Sequence, residues 1–163
     1  MFTKQVGNII SLIDILKLDG LMSAANCRGP MGAGIAGAIK RAGGDEIQSD
    51  AYRVCIELHP KPGQAYSTIS GKLKDKGIKR IIHAATMQSP AGYTSLDIID
   101  AAFQSALILA RQEGITRLGC TALGTGVGGL NPEDVAKIMS RIAKCGQIDV
   151  AFVDHNQRFI DAL

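Results

Sequence analysis

Tryptophan is absent, and aromatic residues make up only 4% of the 163-residue chain. That scarcity argues against single-stranded nucleic acid, which is gripped by aromatic faces stacked on successive bases. No apolar run approaches the ~18 residues of a membrane span, and no signal-peptide pattern is present. The expected setting is the cytoplasm, with no membrane contact. The four cysteines, Cys27, Cys55, Cys120 and Cys145, show no C-x-x-C spacing. They read as reduced thiols, not as a zinc site or a disulfide frame. No metal or cofactor is expected. Charge of one sign is also in short supply. A net charge of +3 is too small to imply DNA or RNA and suits a small anionic ligand equally well. Lys72, Lys74, Lys76, Lys79 and Arg80 are spread over a loop and a strand start, as on a solvated face.

What the chain does have is apolar content and glycine. Hydrophobic residues reach 46%, enough for one domain spanning 1–163 with a full core. Glycine accounts for 19 of the 163 residues, against a usual ~7%. Two clusters stand out, Gly32-Ala33-Gly34-Ile35 and Gly124-Thr125-Gly126-Val127-Gly128-Gly129.

The pattern predicts a first strand over Phe2–Ile10, punctuated by Gly7-Asn8, then a brief helix or turn with Ser11 as a possible cap. A buried strand follows over Leu18–Ala25. The helix after the first glycine cluster spans Gly34–Ala42 and is stopped by Gly43-Gly44. Asp45–Leu58 reads as the end of a second helix followed by a strand at Val54–Leu58. Gln64–Ser70 is a short or edge strand, Ile78–Ala84 a central strand, and Thr86–Gly92 an exposed loop. The Leu and Ile spacing over Ser95–Glu113 gives the clearest helix. Ile115–Cys120 is a strand, Asn131 caps a helix with Pro132 at its first position, and Gln147–Val153 is the last strand. A loop and a short helix close the chain. Strands alternating with helices predict a three-layer α/β/α sandwich around a mixed, mostly parallel sheet.

In such a sheet, loops at the carboxyl ends of the strands gather at a ligand crevice. Neither glycine cluster matches a mononucleotide motif, because Gly32–Lys40 lacks G-x-x-x-x-G-K-[ST] and Gly124–Gly128 is a lone G-x-G-x-G. Small residues at a helix start expose N–H groups at the positive end of the helix dipole, which attracts anions. A phosphate-bearing ligand and a close helix–sheet contact both satisfy that pattern.

Several segments, taken in order, resemble the macro domain family, whose members bind ADP-ribose and related metabolites. Gly7-Asn8-Ile9 resembles the family's early Gly-Asp-Ile, and Ser23-Ala24-Ala25-Asn26 its Asn-Ala-Ala-Asn. Gly32-Ala33-Gly34-Ile35-Ala36-Gly37-Ala38-Ile39 resembles Gly-Gly-Gly-Val-Asp-Gly-Ala-Ile. Gly63-Gln64-Ala65, Thr68 and Ile81-Ile82-His83-Ala84 follow its middle section, and Gly124–Gly129 its phosphate loop. The resemblance implies ADP-ribose, a related small molecule or an ADP-ribosylated protein as partner. It places Asn8 and the Ile9 N–H at adenine, Asn26 at the distal ribose, and Gly32, Ala33, Gly34, Ile35 with Gly124, Thr125, Gly126, Val127 and Gly128 around the diphosphate, with Ala25 also in the ligand-binding set. Apolar Ile35 and Val127 would close over the phosphates or serve simply as packing.

Departures bear on function. Asn8 replaces the adenine-reading Asp, losing the charge-assisted part of the bond and adding an NH₂ donor that needs a partner. Ser23 replaces the first family Asn. Gly128 replaces a frequent aromatic residue. Hydrolases of the family use an Asp where Ala36 stands, or a Lys from the middle section with an Asp at Gly128, so both catalytic sets are incomplete. No catalytic residue is assigned. Asn26 is the candidate, able to orient a water but not to act as a general base. His83 reads as a core histidine, Cys27 beside Arg28 as a packed thiol or a stabilised thiolate, and Asp154-His155 as a polar pair near the adenine end. The expectation is ADP-ribose binding, with hydrolysis of O-acetyl-ADP-ribose or ADP-ribosylated side chains as the alternative.

Overall fold

The computed structural model describes residues 2–163. Six strands, β1 (Phe2–Val6), β2 (Gly20–Asn26), β3 (Ala65–Thr68), β4 (Arg80–Met87), β5 (Arg117–Cys120) and β6 (Asp149–Asp154), form one sheet in the order β1-β6-β5-β2-β4-β3. Every pairing is parallel except β3 against β4. The helices are α1 (Ile13–Leu16), α2 (Gly34–Gly43), α3 (Asp45–Leu58), α4 (Leu96–Gln112), α5 (Pro132–Cys145) and α6 (Gln157–Ala162).

Successive strand residues point to opposite faces of a sheet, and the core divides accordingly. Met22, Ile82 and Val150 pack under α4, α5 and α6, while their neighbours Leu21, Ile81 and Ala151 pack under α1, α2 and α3. The result is the three-layer sandwich with a mixed sheet. Local chemistry matches at the helix starts. Ser95 Oγ accepts from the Ile98 N–H at 3.2 Å, and Asn131 Oδ1 accepts from Glu133 and Asp134 N–H groups at the head of α5.

The structure corrects three local readings. Val54–Leu58 is not a strand but the last turns of the 14-residue helix α3. Ile47, Ala51, Val54 and Cys55 form its buried stripe, and the helix ends where His59 turns left-handed ahead of Pro60. Gly44 separates α2 from α3 with φ of 103°, so the Gly43-Gly44 pair marks a corner between helices. The first strand ends at Val6, and Ser11 is not the cap of the following turn. Asn8 Oδ1 accepts from the Ile10 and Ser11 N–H groups at 3.0 and 3.4 Å.

Buried His83 lies on β4, on the α1–α3 side of the sheet, stacked on Tyr66 with ring centroids 4.7 Å apart. Its Nε2 lies 2.8 Å from Thr68 Oγ1. Burial, with Asp50 opposing and Arg80 assisting, lowers its pKa to about 3. The fold thus refuses a proton that the unfolded chain accepts near pH 6.5. Stability is full above that pH and falls as pH drops toward 3. Urea unfolding at pH 7 and 5.5 is expected to show a loss of about 1.3 kcal/mol from this group, absent in His83→Gln. Burial opposes ionisation of Asp19 and Asp50, but hydrogen bonds from Arg117 and Thr116, and from Ile69 and Arg53, hold their carboxyls low. Their contribution is lost progressively as pH falls from the ordinary carboxylate value through the lowered ones.

Candidate functional site

Because β1, β2, β4, β5 and β6 run the same way, their carboxyl ends meet at one edge of the sheet. A cleft of about 640 Å³ opens there. It is lined by Asn8 and Ile9 after β1, by Ala25 and Asn26 at the end of β2, and by Gly32, Ala33, Gly34 and Ile35 at the start of α2. Gly124, Gly126, Val127 and Gly128 after β5 complete the set. Thr125 is not among the lining residues.

The first loop is held by side chains. Asn26 is 7% exposed, and its Oδ1 accepts from the Arg28 and Gly29 N–H groups at 2.9 and 3.0 Å. Its Nδ2 donates to the Pro30 carbonyl at 3.2 Å. The Tyr66 hydroxyl donates to the Asn26 carbonyl at 3.0 Å. Gln48 on α3 grips the elbow from behind: the Met31 N–H donates to its Oε1 and its Nε2 donates to the Gly29 carbonyl, each at 2.7 Å. Gln48→Leu is expected to lower stability by about 1–3 kcal/mol by orphaning these groups, and to weaken ligand binding by loosening the loop; thermal melts and calorimetry check both.

The loop delivers the chain to α2 with Ala33 extended and no side-chain cap. The first N–H groups of this ten-residue helix therefore lack side-chain partners at the cleft. Arg41, further along α2, also lines the cleft and supplies a positive charge. In the second loop, Gly124 takes φ of 72°, and a Cβ there would meet Ile99 and Leu130 side chains below 3 Å. A Cβ on Gly128 would come within 2.6 Å of the Gly124 carbonyl oxygen, so this loop conformation excludes a side chain there. Val127 projects at 71% exposure on the rim, whereas Ile35 is half-buried against the core.

Among the described residues, Asp154 is the one carboxylate lining the cleft. Its two oxygens accept from the Asn156 and Ala122 N–H groups at 2.8 and 2.9 Å. Ala36 is buried and offers no acid or base. The reading of Cys27 as a thiolate favoured by Arg28 is overturned. Burial, with the neighbouring Cys55, pushes this thiol up to about 11. All four cysteines are free, and no group of three or more His, Cys, Asp or Glu with metal-binding geometry occurs among the described residues. Among the described residues, no helix is long and apolar enough to cross a membrane. Sequence reasoning missed Gln48, which falls in the stretch read as helix with nothing local to show that it faces the first loop, and Arg41, taken there only as a helix-end charge. It also missed the cleft-lining Pro90 and Ala91 after β4.

An α/β/α sandwich with a cleft at the strands' carboxyl ends, walled by two glycine-rich loops, defines the class. The Macro domain family model matches residues 22–139, and the chain belongs to the macro domain family. A protein of Aquifex aeolicus is 43% identical over 140 residues, covering 85% of this chain and 79% of that protein. A Mycobacterium bovis protein is 38% identical over 143 residues; the match covers 82% of this chain but only 38% of that protein. Among solved structures, the macrodomain of Mycobacterium tuberculosis DarG superposes with a TM-score of 0.79 at 26% identity, covering 94% of this chain and 97% of that one. Thermosipho africanus DarTG in complex with ADP-ribose shares the fold at TM-score 0.75 and 20% identity, covering 93% of this chain and 41% of that one.

Proposed function

We propose that the chain, as one domain, binds ADP-ribose or a closely related ADP-ribose metabolite, free or attached to protein. The observation that carries this reading is the convergence of two glycine-rich loops and the uncapped start of α2 on one cleft, with Arg41 adding positive charge. Backbone N–H groups at a helix start hold anionic oxygens without a charged side chain beside each one. The TM-score neighbour DarTG, which holds ADP-ribose, supports the choice of ligand.

Binding without turnover is the favoured form. The Asp154 carboxylate is already engaged by backbone N–H groups, and the Asn26 carboxamide is committed to its own loop. His155 follows β6, two strands from β2 in the sheet and thus ~10 Å from the Asn26 end. The test is calorimetric titration with ADP-ribose beside AMP, ADP and poly(A), followed by incubation with O-acetyl-ADP-ribose and an ADP-ribosylated protein. Heat with ADP-ribose and no product is expected. No heat with ADP-ribose overturns the assignment, and product formation replaces the reader with a hydrolase.

A further inference from the structure

The geometry points to a cleft that reads a hydrogen-bond acceptor on the base at its β1 end, and so takes a 6-oxopurine diphosphate-ribose at least as well as the adenine compound. This rests on the diphosphate-ribose reading above. Two backbone N–H groups, of Ile10 and Ser11, converge on one side-chain atom of Asn8. That atom is the carboxamide oxygen, because an amide nitrogen does not accept. The oxygen is thereby committed to the turn that follows β1. The other polar atom, Nδ2, makes no hydrogen bond among the described residues, and Asn8 is exposed and lines the cleft. The adjacent Ile9 N–H is likewise without an acceptor among the described residues, and Ile9 lines the same cleft.

This end of the cleft therefore offers adjacent donors. The Asp154 carboxylate, on the neighbouring strand β6, spends one lone pair of each oxygen on the Asn156 and Ala122 N–H groups, and it is not part of the Asn8–Ile9 donor pair. The glycine loops follow β2 and β5, whereas Asn8 follows β1, which is two strands beyond β5 in the sheet. A ligand with its diphosphate on those loops spans that ~10 Å offset with a nucleoside, placing its base against Asn8 and Ile9. A 6-oxopurine presents two neighbouring acceptors, O6 and N7, on one edge. Adenine presents N7 beside an amino donor, which would face the Asn8 NH₂ donor to donor.

Calorimetry on the full chain with ADP-ribose and inosine diphosphate ribose, for the native protein and Asn8→Asp, tests this. Asp keeps one oxygen for the turn and turns the second toward the cleft, replacing a donor with an acceptor. The native protein is expected to bind the inosine compound as tightly as ADP-ribose or more so. Asn8→Asp is expected to shift the ratio of dissociation constants by about tenfold toward ADP-ribose, with a thermal melt confirming that it folds. A native preference for ADP-ribose of tenfold or more, or a ratio unmoved in a folded Asn8→Asp, overturns the inference while the proposed function stands. Binding of neither compound overturns both.

Discussion

Gly32→Val is expected to reduce ADP-ribose affinity by about 100-fold or more while leaving the melting temperature within about 2 °C of the native value. Gly32 is exposed, does not take a positive φ, and a Cβ there would meet nothing within 4 Å. A branched side chain at that point therefore costs the fold almost nothing. It does occupy space at the mouth of α2, where a diphosphate would need close backbone approach. Losing two charge-assisted hydrogen bonds of about 1.5–3 kcal/mol each accounts for the size of the effect. Calorimetry paired with a thermal melt separates the two quantities. Native affinity in a folded Gly32→Val protein would remove the first loop from the binding site.

Asn26→Ala is expected to do the opposite: to damage stability and binding together. The side chain supplies the acceptor for two backbone N–H groups and a donor to a carbonyl, all within residues 26–30. Removing it strands buried polar groups at about 1–3 kcal/mol each before relaxation. A net loss of about 2–4 kcal/mol follows, seen as a fall in melting temperature of about 5–15 °C. The elbow it holds positions both Ala33 and the start of α2, so affinity falls as well. If Asn26 acted only by orienting a water, Asn26→Ala would keep native stability and lose turnover alone. Urea unfolding of the variant beside the native protein distinguishes these outcomes.

Much of this was legible in residues whose local chemistry has one solution. Ser95, Asn131 and Pro132 announce helix starts, and the apolar spacing of α4 admits no strand. The glycine clusters were legible as loops gathered at the strands' carboxyl ends, and the structure brings both to one cleft. The strand misread at Val54–Leu58 has a physical cause. Val54, Ile56 and Tyr52 favour strands locally, and Ile56 and Leu58 are apolar yet exposed at 72% and 64%, which obscures the helical stripe. Gln48 was missed for another reason: it lies in the stretch correctly read as helix, but its bonds to Gly29 and Met31 join residues distant in sequence. Asn8 shows a different limit. Its identity is plain in the sequence, but which of its two polar atoms faces a ligand depends on where the Ile10 and Ser11 N–H groups point.

The pairing of β1 with β6 joins segments far apart in the sequence, with Phe2 beside Val150 and Val6 beside Asp154. During synthesis the first glycine loop and α2 emerge long before β6, and the second loop shortly before it. Contacts so distant along the chain form late, because closing a long loop must precede any gain from pairing. Asn8 and His155 flank the same cleft but come from the first and last strands. The two glycine loops thus follow β2 and β5, neither of which pairs with β1, whereas the Asn8 end of the cleft is complete only once β6 has paired with β1. A nascent chain, or one clipped before β6, would keep both loops and Asn8 but leave β1 without its partner strand and the cleft without Asp154 and His155.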